Sequence, residues 1–153
     1  MRSKFRIIYL SLSLCCITSL QAYGTESQGK ELVNQIQKDL GAMSPANALE
    51  YMKKTKNLVI VDVASVSNYN RKHFNGAVNI PIENITSSEA RTFYLELPKD
   101  CPIMLHCRAG AIVPGAYRTL KELRPDIPEI SYINGAPLFD DYNEWYSETN
   151  LKE

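Results

Sequence analysis

Along the chain, short apolar runs alternate with longer segments of mixed polarity. Leu58-Val59-Ile60-Val61 is continuous, β-branched and short. Such a run predicts a strand buried on both faces. Ile103 to His106 predicts a further buried strand and Ile130 to Ile133 another, and Ala77-Val78-Asn79-Ile80 is a short strand stopped by Pro81. The segments between them carry helical spacing. Ser44-Pro45 reads as an N-cap and first turn. The helix it opens runs through Leu49 and Met52 to Lys53, Lys54 and Lys56, cations that suit a C-terminal turn. Ser67 to His73 predicts a short polar helix, broken at Gly76. Ser87 to Leu97 predicts a helix with Phe93, Tyr94 and Leu97 inward. In Val113 to Leu123 one face gathers Val113, Ala116, Tyr117, Leu120 and Leu123, and Pro125 ends the pattern. Asn134-Gly135 marks a turn, and Leu138 to Tyr146 a last helix carrying Trp145. Upstream, Leu32, Val33, Ile36 and Leu40 place a short helical arm over 25–43, its helix ending at Gly41. No internal repeat or linker interrupts the pattern. Short apolar strands alternating with helices define an α/β chain: a central parallel sheet of about five short strands, flanked by helices on both faces.

The first 24 residues stand apart. Arg2, Lys4 and Arg6 form a basic head without an acid, and Ile7 to Leu20 is apolar except for Ser and Thr. This is the layout of a secretory signal peptide over 1–24. Its apolar stretch falls short of the roughly 20 residues a spanning helix needs. Cleavage is expected after Gly24, with Ala22 as the second site; a periplasmic or secreted protein follows. Cys15 and Cys16 raise a lipoprotein reading, but no small residue precedes them as a lipobox requires. An uncleaved anchor is the other alternative.

Composition sharpens this division. The 153 residues suit one domain, and 44% of them are apolar, enough for a core that folds unaided. Lys and Arg number 17 and so do Asp and Glu. That balance argues against a nucleic-acid binder. Without the leader, 14 basic residues face 17 acidic ones, a net of −3. Four cysteines are too few for a disulfide-stapled miniprotein, and two of them leave with the leader. Cys101 and Cys107 are separated by a predicted strand about 20 Å long at ~3.3 Å per residue. A disulfide needs Cα atoms within about 7 Å, so these two do not pair within one chain.

In such sheets, sites form beyond the carboxyl ends of the strands, and Cys107 falls there. His106-Cys107-Arg108-Ala109-Gly110-Ala111-Ile112 joins a buried strand to a helix starting at Val113. Small residues and a glycine let the loop curl tightly. A loop curled over a helix N-terminus turns its N–H groups inward as an anion nest. Those donors favour a thiolate at Cys107, or a sulfur anion attached to it. The plainer alternative is a buried structural cysteine.

Three blocks then resemble the single-domain rhodaneses, a family of sulfurtransferases. Leu58-Val59-Ile60-Val61-Asp62-Val63 is similar to that family's strand ending in Asp-Val. His73-Phe74-Asn75-Gly76-Ala77-Val78-Asn79-Ile80-Pro81 resembles its His-x-x-Gly-Ala-x-Asn-Ile-Pro signature, the most specific of the three. Cys107-Arg108-Ala109-Gly110 resembles the start of its active loop. The likeness spans about Ser44 to Tyr146 and implies a rhodanese-like domain over 44–148. It implies that Cys107 takes a sulfane sulfur from a thiosulfate-like donor, holds it as a persulfide, and passes it to a thiophilic acceptor such as a thiol or cyanide. The binding set would be Arg108, Ala109, Gly110, Ala111, Ile112 and Val113 through their loop amides, with Arg108 attracting the anionic donor or standing as a solvated surface arginine. Asp62 would anchor loops by hydrogen bonds or act as acid and base, and His73 would be structural. His106 is expected to point away from the loop. No cofactor is implied, and two histidines far apart in sequence do not make a metal site. A sulfur-carrying protein is a further possible partner.

The chain also departs from the family. Ala64 stands where many rhodaneses have Arg, and Ile112, Val113 and Pro114 replace polar residues late in the loop. These changes remove side-chain donors and positive charge. They favour another donor, or a non-catalytic sulfur-carrier or protein-binding module. Related phosphatases place Arg six residues after their cysteine; here that residue is Val113, which argues against phosphate chemistry. A thiol redox role lacks a Cys-x-x-Cys partner.

Overall fold

The computed structural model describes residues 41–150. The expected leader with Cys15 and Cys16, and the helix expected from Glu26 to Leu40, fall outside the described residues. Five strands form one sheet: β1 (Ala42–Met43), β2 (Val59–Asp62), β3 (Val78–Asn79), β4 (Ile103–His106) and β5 (Ile130–Ile133). Their order is β1-β5-β4-β2-β3, and every pairing is parallel. Parallel neighbours need crossovers, and the helices supply them: α1 (Pro45–Lys54), α2 (Val66–Arg71), α3 (Ser87–Glu96), α4 (Val113–Leu123) and α5 (Phe139–Asn150).

The period of two along each strand sorts the core into two layers. Val61, Val63, Ile103 and Leu105 pack with Ala90 and Tyr94 of α3 and with Ala116 and Leu120 of α4. Ile60, Met104 and Ile133 face the other way, onto Ala48 and Met52 of α1 and Phe139 and Tyr142 of α5. Phe74, on the way to β3, is fully buried in that second layer. Both faces of β2 and β4 are therefore dry, as their uninterrupted apolar runs require.

Local signals set the helix starts. The Ser44 hydroxyl accepts the Asn47 N–H at 3.3 Å, with Pro45 in the first turn. Thr86 and Glu89 form a reciprocal capping box at α3. Helix α4 differs: Ile112 holds its N-cap position and gives no side-chain cap, and Pro114 fits the first turn.

Two expectations are corrected. The helical arm was expected to reach residue 43, but Ala42 and Met43 are an edge strand in register with Tyr132 and Ile133. Two residues are too few to show a period. Phe93 was expected inward but is 44% exposed, while Ala90, Tyr94 and Leu97 are buried. Those three follow the i, i+4, i+7 stripe of one helix face, and Phe93 lies about 100° round the helix from Tyr94.

One cation closes α3. Arg124 is 7% exposed. Its Nη1 donates to the carbonyls of Tyr94, Leu95 and Leu97 at 3.0, 3.2 and 2.6 Å, and Nε and Nη2 donate to the Asp126 carboxylate at 2.8 Å each. The guanidinium thus satisfies carbonyls left open at the negative end of α3. Arg124→Met is expected to lower unfolding stability by about 2 kcal/mol or more, since hydrogen bonds to charged groups contribute ~1.5–3 kcal/mol. Arg124→Lys should recover only part of that, because a point charge cannot reach three carbonyls and a carboxylate at once. Urea denaturation of the three proteins measures this.

Candidate active site

Strands β2 and β4 run in register to their carboxyl ends, with Asp62 opposite His106. The chain leaves β4 directly into Cys107, whose side chain is 3% exposed. The loop from Cys107 to Ile112 then curls into the start of α4. Gly110 has φ +82, and a Cβ there would lie 2.7 Å from the backbone N of Gly135. Only glycine fits that left-handed turn and that approach. Among the described residues, no acceptor pairs with the N–H groups from Arg108 to Ile112. These donors and the uncapped α4 terminus supply positive potential beside the sulfur. The loop borders a cleft of about 130 Å³, lined by Cys107, Arg108, Ala109, Ala111 and Ile112 on one side and by Ala64, Asn68 and Glu83 on the other.

Beneath the loop, Asp62 is fully buried. One carboxylate oxygen accepts the Ala64 N–H at 3.0 Å, and the other accepts a hydrogen bond from Nη2 of Arg108 in an ion pair. Burial pushes the Asp62 pKa above the usual carboxylate value, against the lowering from the Ala64 N–H and the Arg108 guanidinium. Nη1 of Arg108 donates to the Lys72 carbonyl at 2.7 Å, and its guanidinium lies 4.8 Å from the centre of the Phe139 ring. Asn79 Nδ2 donates to the carbonyls of Asp62 and Ala64 at 2.8 and 2.9 Å. The turn after β2 is tied further by Glu83, which accepts the Ser65 N–H at 3.0 Å, and Asn84, which accepts the Val66 N–H at 2.9 Å.

The residues singled out from sequence thus separate. Cys107, Arg108, Ala109, Ala111 and Ile112 share the cleft. Gly110 serves the backbone approach to Gly135, and the Val113 side chain is buried in the core. The Arg108 guanidinium was expected to face a donor or to be solvated; it is held instead by Asp62, the Lys72 carbonyl and Phe139. His73 stacks on Tyr69 with ring centres 4.1 Å apart, and its Nδ1 lies 2.9 Å from the Tyr69 carbonyl. His106 points into the second layer, edge-on to Phe74 and Phe139. Cys101 and Cys107 are both free. Sequence reasoning missed Asn68 and Glu83 as cleft residues, which no motif marks, and the clamp role of Asn79, which sits inside the signature block.

The chain belongs to the rhodanese-like family: the Rhodanese-like domain matches residues 44–148. No curated protein matches the sequence. Among solved structures, the chain is similar to a rhodanese-like domain from Anabaena sp. at 18% identity, covering 69% of this chain and 74% of that one with a TM-score of 0.49. It is similar to a polysulfide-sulfur transferase homodimer from Wolinella succinogenes at 15% identity, covering 86% and 90% with a TM-score of 0.48. A NAD-dependent persulfide reductase from A. fulgidus shares 28% identity over 54% of this chain and 14% of that one, with a TM-score of 0.41.

His106 gives the site region a pH signature. Its ring is fully buried, and Nδ1 is 3.8 Å from Asp62 and 3.4 Å from the Cys107 carbonyl. Desolvation brings its pKa from 6.5 down to about 3. A depressed pKa means the unfolded chain binds this proton first, so the stability it contributes is full above pH 6.5 and is lost as pH falls toward 3. Asp62, shifted upward, runs in the opposite sense. Replacing His106 with Leu is expected to flatten the fall in unfolding stability between pH 6.5 and 4, measured by urea titration at each pH. An equal fall in both proteins would contradict the buried, neutral imidazole.

Proposed function

We propose that this protein is an exported sulfurtransferase with Cys107 as its nucleophile. The observation that carries the reading is the placement of Cys107 at the mouth of a loop whose N–H groups from Arg108 to Ile112 have no acceptor among the described residues, beside an uncapped helix start. The Cys107 thiolate attacks the outer sulfur of a sulfane donor such as thiosulfate. A Cys107 S–S bond forms, the donor's S–S bond breaks, and sulfite leaves with the electron pair. The loop amides and the α4 terminus stabilise the resulting persulfide anion. A thiol or cyanide then attacks the outer sulfur and returns Cys107 as thiolate. Both half-reactions are displacements at sulfur and need no further group. A sulfur-carrying protein is an equally suitable donor or acceptor chemically.

A second reading, a non-catalytic sulfur-carrier or protein-binding module, is favoured by Ala64 and Ile112 in the cleft and by the engagement of Arg108 with Asp62. It predicts no thiocyanate formation with cyanide from any donor. The exported location rests on the basic head and apolar stretch of residues 1–24. No helix among the described residues is long and apolar enough to cross a membrane.

Incubation with thiosulfate or polysulfide is expected to add the mass of one sulfur atom to the protein. The gain should vanish in Cys107→Ser and reverse on adding cyanide, with thiocyanate released. A gain that persists in Cys107→Ser would exclude Cys107 as the carrier. In cells, intact mass of the envelope fraction is expected to start at Thr25, or at Tyr23. Recovery of the protein with its first 24 residues in the cytoplasm would overturn the export assignment.

A further inference from the structure

The two walls of the Cys107 cleft differ in charge. On the loop side, free N–H groups and the uncapped start of α4 supply positive potential at the sulfur. On the far wall stand Asn68 and Glu83. Glu83 is held in place, since one carboxylate oxygen accepts the Ser65 N–H at 3.0 Å. Among the described residues that is its one hydrogen bond, and no cation pairs with it. Its other oxygen is uncommitted. Asn68 donates its backbone N–H to the Ser65 hydroxyl at 3.4 Å, and its carbonyl accepts the Lys72 N–H at 3.2 Å. Its side-chain amide makes no hydrogen bond among the described residues.

The cations bordering the cleft are engaged elsewhere. The Arg108 guanidinium faces the Asp62 carboxylate and the Lys72 carbonyl. The ammonium of Lys72 pairs with Asp140 at 2.6 Å. With Arg108 balanced by Asp62, the carboxylate of Glu83 is left uncompensated. The space is also small. Its volume of about 130 Å³ is well under the ~300 Å³ at which drug-sized pockets begin, so it takes a molecule of a few heavy atoms. Positive main chain at the sulfur and an open carboxylate across from it match a small zwitterion, anionic at sulfur and cationic at an amine.

Resting on the sulfur-transfer reading, we propose that Glu83 determines which acceptor the site uses: an aminothiol, with its thiolate at the Cys107 persulfide and its ammonium against Glu83. The side-chain carbonyl of Asn68 is a second acceptor for that ammonium. The aminothiol's thiolate attacks the outer sulfur of Cys107–S–SH. A new S–S bond forms to the aminothiol, the S–S bond to Cys107 breaks, and Cys107 leaves as thiolate with the electron pair. The persulfide's proton stays on the sulfur that is transferred. Glu83 touches the ammonium and takes no part in the bond changes. A thiol carrying a carboxylate in the same place meets repulsion instead of attraction.

The test uses three thiols of the same two-carbon spacing: cysteamine, 2-mercaptoethanol and 3-mercaptopropionate. The mature chain is first loaded with thiosulfate or polysulfide, and loss of the extra sulfur from Cys107 is followed by mass after rapid quench. Because the thiols differ in acidity, the reading is the change in each rate from wild type to Glu83→Gln, a variant whose side-chain carbonyl still accepts the Ser65 N–H. Exposed charge pairs are weak, so cysteamine is expected to slow by about threefold, 3-mercaptopropionate to gain by about the same factor, and 2-mercaptoethanol to hold its rate. Both shifts should shrink in about 1 M salt, where charges are screened over ~3 Å. Asn68→Asp, which adds a carboxylate to the same wall and leaves the Glu83 bond to Ser65 in place, should favour cysteamine further. Thermal melting checks that both variants are folded.

A companion measurement needs no sulfur transfer. In a Cys101→Ser background, methanethiosulfonates bearing an aminoethyl, a methyl or a sulfonatoethyl group modify the Cys107 thiol, and their rates are compared with and without Glu83→Gln. If Cys107 loads but both variants keep the wild-type ratios among the three thiols, the assignment of Glu83 is overturned and sulfur transfer stands. If no donor loads Cys107, the sulfur-transfer reading falls and the aminothiol acceptor with it. The methanethiosulfonate rates then decide whether Glu83 selects the charge of what reaches Cys107: a preference for the aminoethyl reagent that Glu83→Gln removes upholds that role, and rates that it leaves unchanged overturn it.

Discussion

The carboxylate of Asp62 sits fully buried where β2 ends, and four separate stretches of chain are fastened to that position. Its oxygens take the Ala64 N–H and the Arg108 guanidinium. Arg108 passes the connection to the Lys72 carbonyl, and Asn79 holds the backbone on either side from β3. A buried ion pair is weak evidence for stability, because desolvating two charges offsets much of their attraction. Its physical effect here is positional. A carboxylate placed at the dry carboxyl end of an interior strand demands a cation and an amide, and meeting that demand sets where the turn after β2 and the loop after β4 must lie. The upward-shifted pKa of Asp62 records that burial outweighs those two contacts.

That use of Arg108 has an electrostatic consequence. Beyond residue 24 the chain carries three more acidic than basic residues, so any attraction for a sulfur anion must arise locally. The arginine beside the cysteine is committed to the fold beneath it. What remains is main chain: the loop N–H groups and the first turn of α4. Ile112, Val113 and Pro114 look like losses when set beside family members with polar residues there. In the fold they have another aspect. A Ser or Thr at the helix start would occupy one of the N–H groups, whereas Ile112 leaves them to the anion. Positive potential supplied by amides is short-ranged and directional, and suits a single thiolate or persulfide better than a multiply charged donor.

Much of this was legible in the chain because burial writes itself into patterns. β2 and β4 are dry on both faces and read as short apolar runs. The two-layer architecture follows from strands alternating with helices. The loop cysteine was legible from its place between a strand and a helix. What escaped lacked a period or depended on contacts distant in sequence. β1 has two residues, and its pairing with β5 spans about ninety positions of chain. Phe93 is apolar but lies off the stripe that its own helix buries. Nothing near Arg108 in the chain points to Asp62, and although Asp126 lies two residues beyond Arg124, nothing there points to the carbonyls at the end of α3. A charged side chain announces that it needs a partner, not which one.

The loop that carries the thiol is also built on contacts between backbones. Gly110 lies against Gly135, where an added Cβ would come within 2.7 Å of the backbone N. Gly135 in turn lies against Pro45, whose Cγ would be 3.0 Å from a Cβ at 135. Loop, turn and first turn of α1 are therefore stacked with no side chain between the first two. Backbone-to-backbone packing has little freedom to relax, because no rotamer can absorb a shift. The Asp62 pair holds the start of the loop from below, the glycine contact holds its middle from the side, and α4 continues from its end. A loop held at three points keeps its N–H groups aimed before any anion arrives. Such groups stabilise a developing charge without reorganising at the moment of transfer, which is the physical basis of the sulfur chemistry proposed for Cys107.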